Sequence, residues 1–193
     1  MEVFVSGDVG VKEYFEDFVP RLFQEQAAKS PASGMEGTVF TAEFDIADGT
    51  EQIYGITVKD GKELDVQEGP LDNPLVKIKL PEDVWRKAVT GKMGGAVDMF
   101  TDTGQMANRQ RFEALKSTQG TMNLVLSLSD GFVANIKIIM NGAETPSVTF
   151  RATVEDWAKI ATGELAGTAA FMSGKLKMDG DMSFAMALGN LMS

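Results

Sequence analysis

The chain has 193 residues, of which 44% are apolar, and it carries a net charge of −10 at pH 7. This length and apolar content suffice for one or two folded domains. The sequence contains no Cys and no His, which excludes disulfides, thiolate catalysis, Cys/His zinc sites and His-based triads. The acidic balance argues against nucleic acid and against electrostatic adsorption to anionic membranes, because both favour clustered Lys and Arg.

The sequence also gives an expectation of location. No apolar run reaches the length of a membrane-spanning helix, and the first residues lack the basic start and long apolar centre of a signal peptide. The C-terminal Leu-Met-Ser differs from the Ser-Lys-Leu address of peroxisomal import. We therefore predict a cytoplasmic protein without stable membrane insertion.

The N-terminal half predicts one helix followed by strands. Apolar residues at helical spacing predict a helix from Val11 to about Ala27, which Pro20 is expected to kink or divide. Alternation then predicts strands at 38–46 and 52–60, separated by an Asp-Gly turn at 48–49. Three further elements follow, namely a short acidic strand typical of a sheet edge, another strand and a helix, at 62–69, 74–80 and 81–91.

The second half repeats this layout. Trp157 follows Trp85 by 72 positions, and the same offset joins Pro74 to Pro146, Gly91 to Gly163 and Gly95 to Gly167. In the strand that opens each copy the offset becomes 83, as for Gly37 and Gly120, and residues 62–69 have no counterpart. We therefore predict a tandem duplication, with units at 1–117 and 118–193 packed together. Since the second copy lacks an edge strand, we expect the two sheets to join into one, with the helices on one face.

The closing segment at 171–192 joins a short amphipathic strand to an apolar helix. Leu176 and Met178 alternate with charged residues, and Asp181 stands where a helix N-cap is expected. The helix beyond it is apolar nearly all round, so it must be covered by protein, membrane or ligand. Its methionines suit an adaptable apolar surface, although an ordinary core helix is an equally simple interpretation.

The amino-acid sequence of this segment resembles that of a known family. The run GKLKMDGDMSFAMAL at 174–188 is similar to the closing strand and helix of the sterol carrier protein type 2 family, and VEDWAKIATGELAGTAAFMSG at 154–174 resembles the family's preceding helical segment. The resemblance covers 121–193 well and 11–117 more loosely. It implies an α+β fold in which helices cover a twisted, mainly antiparallel sheet, with an apolar tunnel for sterols, fatty acids or fatty acyl-CoA.

The first copy carries a polar version of the closing element. DTGQMANRQRFEALK at 102–116 keeps Met106 and Phe112 at equivalent positions but brings in Arg109, Arg111 and Glu113. A helix built from it is amphipathic. We therefore predict one tunnel, in the second copy near the C-terminus.

Chemical motifs are scarce. The glycines at 91, 94 and 95 do not have the spacing of dinucleotide or phosphate-binding loops, and residues 45–51 lack that of a calcium loop. Acidic pairs recur at 82–83 and 155–156, where they favour the positive end of a helix. The sequence thus predicts no cofactor, no metal and no catalytic residues.

We predict a non-enzymatic carrier of a fatty acid, acyl-CoA or sterol-like lipid, with no nucleic-acid partner and with oligomers possible. The alternatives are a structural or interaction module whose apolar C-terminal helix docks onto a partner, and an accessory domain that presents acyl substrates to an enzyme. Each predicted lining residue also has a plain interpretation as core. These residues are Trp157, Ile160, Phe171, Met172, Leu176, Met178, Met182, Phe184, Met186 and Leu188, with Phe40, Phe44 and Leu124 from the sheets.

Overall fold

Eight strands pair into a single sheet in a computed structural model of the chain, which describes residues 4–29, 33–47, 51–94 and 108–192. The strands are β1 Val39–Ala47, β2 Glu51–Lys59, β3 Glu63–Glu68, β4 Val76–Pro81, β5 Gly120–Ser127, β6 Val133–Met140, β7 Ser147–Thr153 and β8 Lys177–Gly180. Their order across the sheet is β3-β2-β1-β4-β6-β5-β7-β8. Five of the seven pairings are antiparallel, which confirms the predicted α+β class with a mainly antiparallel sheet.

The two halves of the sheet use the same pairing scheme. β1 is antiparallel to β2 and parallel to β4, and β5 is antiparallel to β6 and parallel to β7. The halves meet where β4 pairs with β6, with Ile78 opposite Ile138. β6 therefore has β4 on the side where β2 has the edge strand β3. A strand of the first half thus takes the position of the edge strand that the second half lacks, and the sheet is continuous as expected.

Strand pairing changes the register of the predicted repeat. Ala42 faces Val76, and Met122 faces Val148, which follows Val76 by 72 positions. Ala42 thus corresponds to Met122, an offset of 80, so the offset of 83 drawn from Gly37 and Gly120 is wrong for the strands. That shift of three residues would have exchanged the two faces of β5. Descent of the halves by duplication stays a prediction.

The N-terminal helix is continuous through its proline. The helix begins as α1 (Val11–Glu13), passes through a π-helical stretch at Tyr14–Phe18 and continues as α2 (Val19–Lys29). Pro20 removes one backbone donor and crowds the preceding turn, and the wider π stretch lies directly before it. A local change of helix type therefore takes the place of the predicted division.

The described residues form five further helices, namely α3 Glu82–Val89, α4 Arg109–Ser117, α5 Val154–Ala161, α6 Gly167–Met172 and α7 Met182–Met192. Asn108 caps α4 by accepting a hydrogen bond from the Arg111 N–H at 3.1 Å. Thr153 caps α5 in the same way, accepting from the Asp156 N–H at 3.1 Å. Several sequence predictions, namely the turn at 48–49, Gly95 and residues 102–107, lie outside the described residues.

The apolar side chains of the strands face the helices and form two clusters. The first cluster joins the N-terminal helix, through Phe15 and Phe23, to Tyr54 of β2 and Trp85 of α3. The second cluster spans both halves of the sheet and includes Trp157. Phe40, Phe44 and Leu80 pack against both clusters, so the two apolar regions adjoin along the middle of the sheet.

The opposite face of β1 carries two buried carboxylates. Glu43 is 1% exposed and Asp45 is 5% exposed. Lys77 Nζ lies 2.5 Å from Glu43 Oε1, and Lys79 Nζ lies 2.8 Å from Asp45 Oδ2. The Leu71 N–H donates to Glu43 Oε2 at 2.8 Å. On this face, each buried carboxylate of β1 is therefore paired with a Lys of β4, and Glu43 also binds the backbone of the segment that follows β3.

Candidate functional site

The closing segment is fixed to the edge of the sheet by its backbone. β8 pairs with β7, and the Asp181 N–H donates to the Ser147 carbonyl at 2.9 Å. The Asp181 carboxylate then accepts a hydrogen bond from the Phe184 N–H at 2.8 Å, which is the predicted N-cap. Leu176 is buried and Met178 half-buried, while Lys177 and Asp179 are exposed. The alternation predicted for this strand is thus confirmed.

Two glycines permit the close approach of this segment. Gly180 has φ +119°, and a Cβ at this position would lie 2.4 Å from the Ser147 carbonyl oxygen. Gly120 has φ +141°, and a Cβ there would lie 2.6 Å from Cζ of Phe184. Side chains are therefore excluded where β8 meets β7 and where the Phe184 ring lies over the start of β5.

Helix α7 has an inner and an outer apolar face. Phe184, Ala185 and Leu188 are buried in the second cluster. Met182 and Met186 stand one turn apart on the other side and are 50% and 70% exposed. Within the described residues, the helix is thus covered on one face only.

Nine of the thirteen predicted lining residues lie in the second cluster or pack against it. Six are buried in the second cluster, and three more are half-buried against it. The buried six are Leu124, Trp157, Ile160, Leu176, Phe184 and Leu188, and the half-buried three are Phe40, Phe44 and Met178.

The other four predicted lining residues are exposed. Phe171 is 44% exposed and Met172 is 87% exposed, both at the end of α6, and Met182 and Met186 lie on the outer face of α7. Seven large hydrophobic side chains are exposed in the described residues, and four of them are these. A role for any of the thirteen residues in holding a ligand stays a prediction.

Sequence reasoning missed several members of the cluster. Val148 and Phe150 of β7, Ala170 of α6 and Ala185 of α7 are all buried in it. The strand residues could have been found from the alternation of 147–151, which places 148 and 150 on one face. The alanines carry no such signal, because small residues occur on both faces of a helix.

An ion pair ties the closing segment to helix α5. Lys175 Nζ lies 3.1 Å from Asp156 Oδ1, and this hydrogen bond holds the pKa of Asp156 below its usual value of 3.8. The described residues contain no group of three or more His, Cys, Asp or Glu placed to hold a metal ion. In the same part of the chain, no helix combines the length and the apolar character needed to cross a bilayer.

The C-terminal part of the chain is similar to a known protein family. Residues 105–193 match the SCP-2 sterol transfer family. A solved sterol carrier protein domain 2 of Helicoverpa armigera covers 54% of this chain and 84% of its own, with 26% identity and a TM-score of 0.37.

Two relatives place similar sequence within larger proteins. Peroxisomal multifunctional enzyme A of Dictyostelium discoideum is 28% identical over 146 residues, which is 66% of this chain and 33% of that protein. Hydroxysteroid dehydrogenase-like protein 2 of Xenopus tropicalis is 36% identical over 88 residues, or 42% of this chain and 21% of that protein. The chain thus spans about a third of the first relative and a fifth of the second.

These relatives correct one prediction. We expected a protein outside the enzymes, because no catalytic motif occurs in the sequence. The relatives carry the names of an enzyme and of a dehydrogenase-like protein, so the prediction of a non-enzymatic protein is wrong. The absence of a catalytic motif could not support it, because similar sequence occurs as part of longer chains.

Proposed function

Because residues 105–193 match the SCP-2 sterol transfer family, we propose that the second half of the chain binds an apolar lipid. The ligand is a fatty acid, a fatty acyl-CoA or a sterol-like molecule, held in a hydrophobic tunnel that α7 closes. The observation that carries the proposal is the concentration of exposed apolar side chains at 171–186, directly beside the buried cluster. Monomeric proteins seldom leave such surfaces together without a ligand or partner.

The first half has no comparable surface in its described part. The rings of Tyr14 and Phe15 from the N-terminal helix fill its apolar region, where Phe15 stacks on Tyr54 at 4.7 Å between ring centroids. This supports one ligand site, in the second half.

The binding free energy would come from apolar burial. Removing about 300 Å² of apolar surface from water contributes roughly 7 kcal/mol at about 25 cal/mol per Å². Ordering of the ligand and of the surrounding side chains opposes part of this. We therefore expect dissociation constants of about micromolar or weaker.

Titration with a fluorescent fatty acid tests the proposal. We expect saturable binding at one site per chain, displaced by unlabelled palmitate. Leu188→Gln, which places an amide in the buried face of α7, should weaken binding, whereas Val39→Gln at an exposed position of β1 should not. A protein that binds no apolar probe contradicts the proposal.

The relatives favour a second candidate function, in which this lipid-binding unit presents substrate to an enzyme. Similar sequence forms part of proteins named as a multifunctional enzyme and as dehydrogenase-like. We expect an enzyme that acts on acyl or sterol substrates to co-purify stably with the chain, or to be joined to it in one polypeptide. Recovery of the chain alone under gentle lysis contradicts this candidate and leaves lipid binding untouched.

The outer face of α7 favours a third candidate, an interaction module. Met182 and Met186 present an apolar stripe that no described residue covers. Native mass spectrometry separates the possibilities. Lipid bound to a monomer supports the carrier, and a lipid-free dimer that Met186→Glu weakens supports the interaction module.

A cytoplasmic location also stays a prediction. One relative is named as peroxisomal, and that name describes the relative. Imaging of the full-length protein in its own cells, with a tag placed at each end in turn, tests the location directly.

A further inference from the structure

Each half of the chain buries one tryptophan whose polar atom has no partner. Trp85 is 3% exposed and Trp157 is fully buried. Neither indole Nε1 has a hydrogen-bond acceptor among the described residues. Buried donors are nearly always paired in folded proteins, because burial removes their bonds to water. Two unpaired donors at equivalent positions therefore need an explanation.

The surroundings of Trp85 offer a partial one. The Tyr14 ring stands at 86° to the Trp85 ring with centroids 5.5 Å apart, and the Arg86 guanidinium lies 5.2 Å from the Trp85 ring centroid. The face of a ring in edge-to-face contact is a weak acceptor that compensates an indole N–H in part, whereas a guanidinium only donates and offers no acceptor. The region around Trp85 is closed by the N-terminal helix and is already full of aromatic rings.

Trp157 lacks this compensation. Its aromatic contact is with Phe150, at 5.8 Å between centroids and tilted by 38°, and no other ring or cation contact to it occurs in the described residues. The apolar side chains of its cluster offer the indole no acceptor. The donor belongs to the cluster that buries six of the predicted lining residues.

We propose that the indole N–H of Trp157 donates a hydrogen bond to a neutral oxygen of the lipid, either a carbonyl or a hydroxyl. This inference rests on the proposed lipid binding and deepens it by naming the polar group that the second half recognises. A neutral oxygen fits better than an ionised carboxylate, because an unpaired buried charge is strongly unfavourable and the cation that the structure places beside α5, Lys175, is already paired with Asp156 and half exposed. The sequence had offered no residue for the polar part of the ligand.

Three chain-matched probes test the inference in the wild-type protein. Methyl palmitate and octadecan-9-one carry a carbonyl near the end and in the middle of the chain, and octadecane carries none. Each is delivered from cyclodextrin, and displacement of a fluorescent fatty acid measures its binding. Two-dimensional NMR of ¹⁵N-labelled indoles reports the hydrogen bond, since the chain has only two tryptophans. The spectrum of Trp85→Phe assigns the two signals.

We expect at least one carbonyl probe to move the Trp157 indole proton downfield, with octadecane moving it much less. The Trp85 signal should stay in place. If the carbonyl probes displace the fluorescent ligand and leave the Trp157 proton where octadecane leaves it, the inference is overturned while lipid binding stands. If no probe binds, the proposed function itself fails.

Substitution gives a second measurement. Trp157→Phe keeps an aromatic ring and removes the donor, so the affinity for the carbonyl probe should fall by about 3- to 10-fold relative to octadecane. Trp85→Phe should leave this ratio unchanged. Equal losses for the carbonyl probe and octadecane in Trp157→Phe would indicate a packing role alone and contradict the inference. The wild-type NMR result is independent of whether either variant folds.

Discussion

The two halves of the sheet pair their strands alike but cover their apolar faces differently. In the first half a long helix inserts Tyr14, Phe15 and Phe23 into the core, and burial raises the pKa of Tyr14 to about 12. The short helix α4, which directly precedes the second half, buries Phe112 alone among its residues. In the second half α7 closes the sheet while its outer methionines stay exposed.

This contrast distinguishes the contribution of the strands from that of the helices that pack on them. The same strand order supports a region filled by aromatic rings in one half and a region flanked by exposed, flexible apolar side chains in the other. Aromatic rings pack in few orientations, whereas methionine adapts to a changing neighbour. The halves thus differ in the helices that cover the sheet more than in the sheet itself.

The largest expected effect comes from removing a buried aromatic ring from the core of the first half. Phe15 is 1% exposed and packs on Tyr54 and on Phe44, whose ring centroid lies 5.2 Å away. Phe15→Ala should lower the free energy of unfolding by about 3 to 5 kcal/mol, because it removes a buried ring and leaves a cavity. Urea unfolding measures this. The half-buried Phe18 on the same helix provides the control, since Phe18→Ala should cost clearly less.

The same variant also tests the role of the N-terminal helix in filling the first half. If aromatic filling is what closes the first half, Phe15→Ala should bind a small apolar probe such as benzene, as apolar cavities do. Ligand-induced stabilisation against urea reports this binding. A variant that loses less than about 1 kcal/mol and binds no probe would contradict our account of the first half.

The sequence predicted most of the sheet because apolar and polar residues alternate along its strands. The edge strand β3 and the continuous sheet followed from an acidic segment present in one half and absent from the other. Alternation places Glu43 and Asp45 on the face of β1 opposite its apolar residues, which predicts exposure, yet both are buried. Burial there depends on Lys77, Lys79 and the segment around Leu71, which are distant in sequence or carry no local signal.

The candidate site was predicted less completely. An apolar helix such as α7 does not reveal which of its faces is inner, so Met182 and Met186 were grouped with Phe184 although their exposures differ. The unpaired indole of Trp157 has no sequence signature either, because it depends on what surrounds the ring. Periodicity assigns residues to elements, and only packing assigns them to a site.

The next largest effect concerns the attachment of the second half's closing segment. Gly180→Ala would place a Cβ 2.4 Å from the Ser147 oxygen at φ +119°. We expect a loss of about 2 to 4 kcal/mol in the free energy of unfolding, from backbone strain and overpacking together. Gly142 is the matched control, because its φ is +66° and no atom lies within 4 Å of the added Cβ. Gly142→Ala should cost about 1 kcal/mol, from strain alone.

Hydrogen exchange locates the damage from Gly180→Ala. Amides of β7 and β8 should lose protection more than those of β1 and β2, because the clash lies at the far edge of the sheet. Equal costs for Gly180→Ala and Gly142→Ala would mean that the close approach at β7 contributes nothing, and α7 would then not depend on this contact.

A smaller effect is expected on the face of the sheet that carries the buried Glu43–Lys77 pair, opposite the apolar clusters. This face also distinguishes the first half from the second. Lys77→Ala leaves the Glu43 carboxylate, 1% exposed, without its cation. We expect a loss of about 1 to 3 kcal/mol, measured by urea unfolding at pH 7. Lys12→Ala is the control, because its pairs with Glu16 and Glu68 lie at the surface and such pairs contribute little. Similar losses in the two variants would contradict the structural role of the buried pair.

The smallest effect is a pH dependence at the seam between α5 and the closing segment. A hydrogen bond from Lys175 lowers the pKa of Asp156, and one from Lys87 of α3 lowers that of Asp130 in the loop between β5 and β6. A carboxyl whose pKa is lower in the folded state stabilises the fold above its unfolded pKa. That contribution is lost as the pH falls through the folded pKa.

Asp156→Asn and Asp130→Asn should therefore each flatten the fall in stability below about pH 4, and raised salt should weaken the wild-type dependence because both pairs reach the surface. Asp130 joins the two halves, whereas Asp156 lies within the second. Only the Asp156 variant should also loosen α7, detected as faster exchange of the Phe184 and Ala185 amides. If Asp130→Asn loosens α7 equally, the halves are coupled through this loop and the closing segment is not independent of the first half.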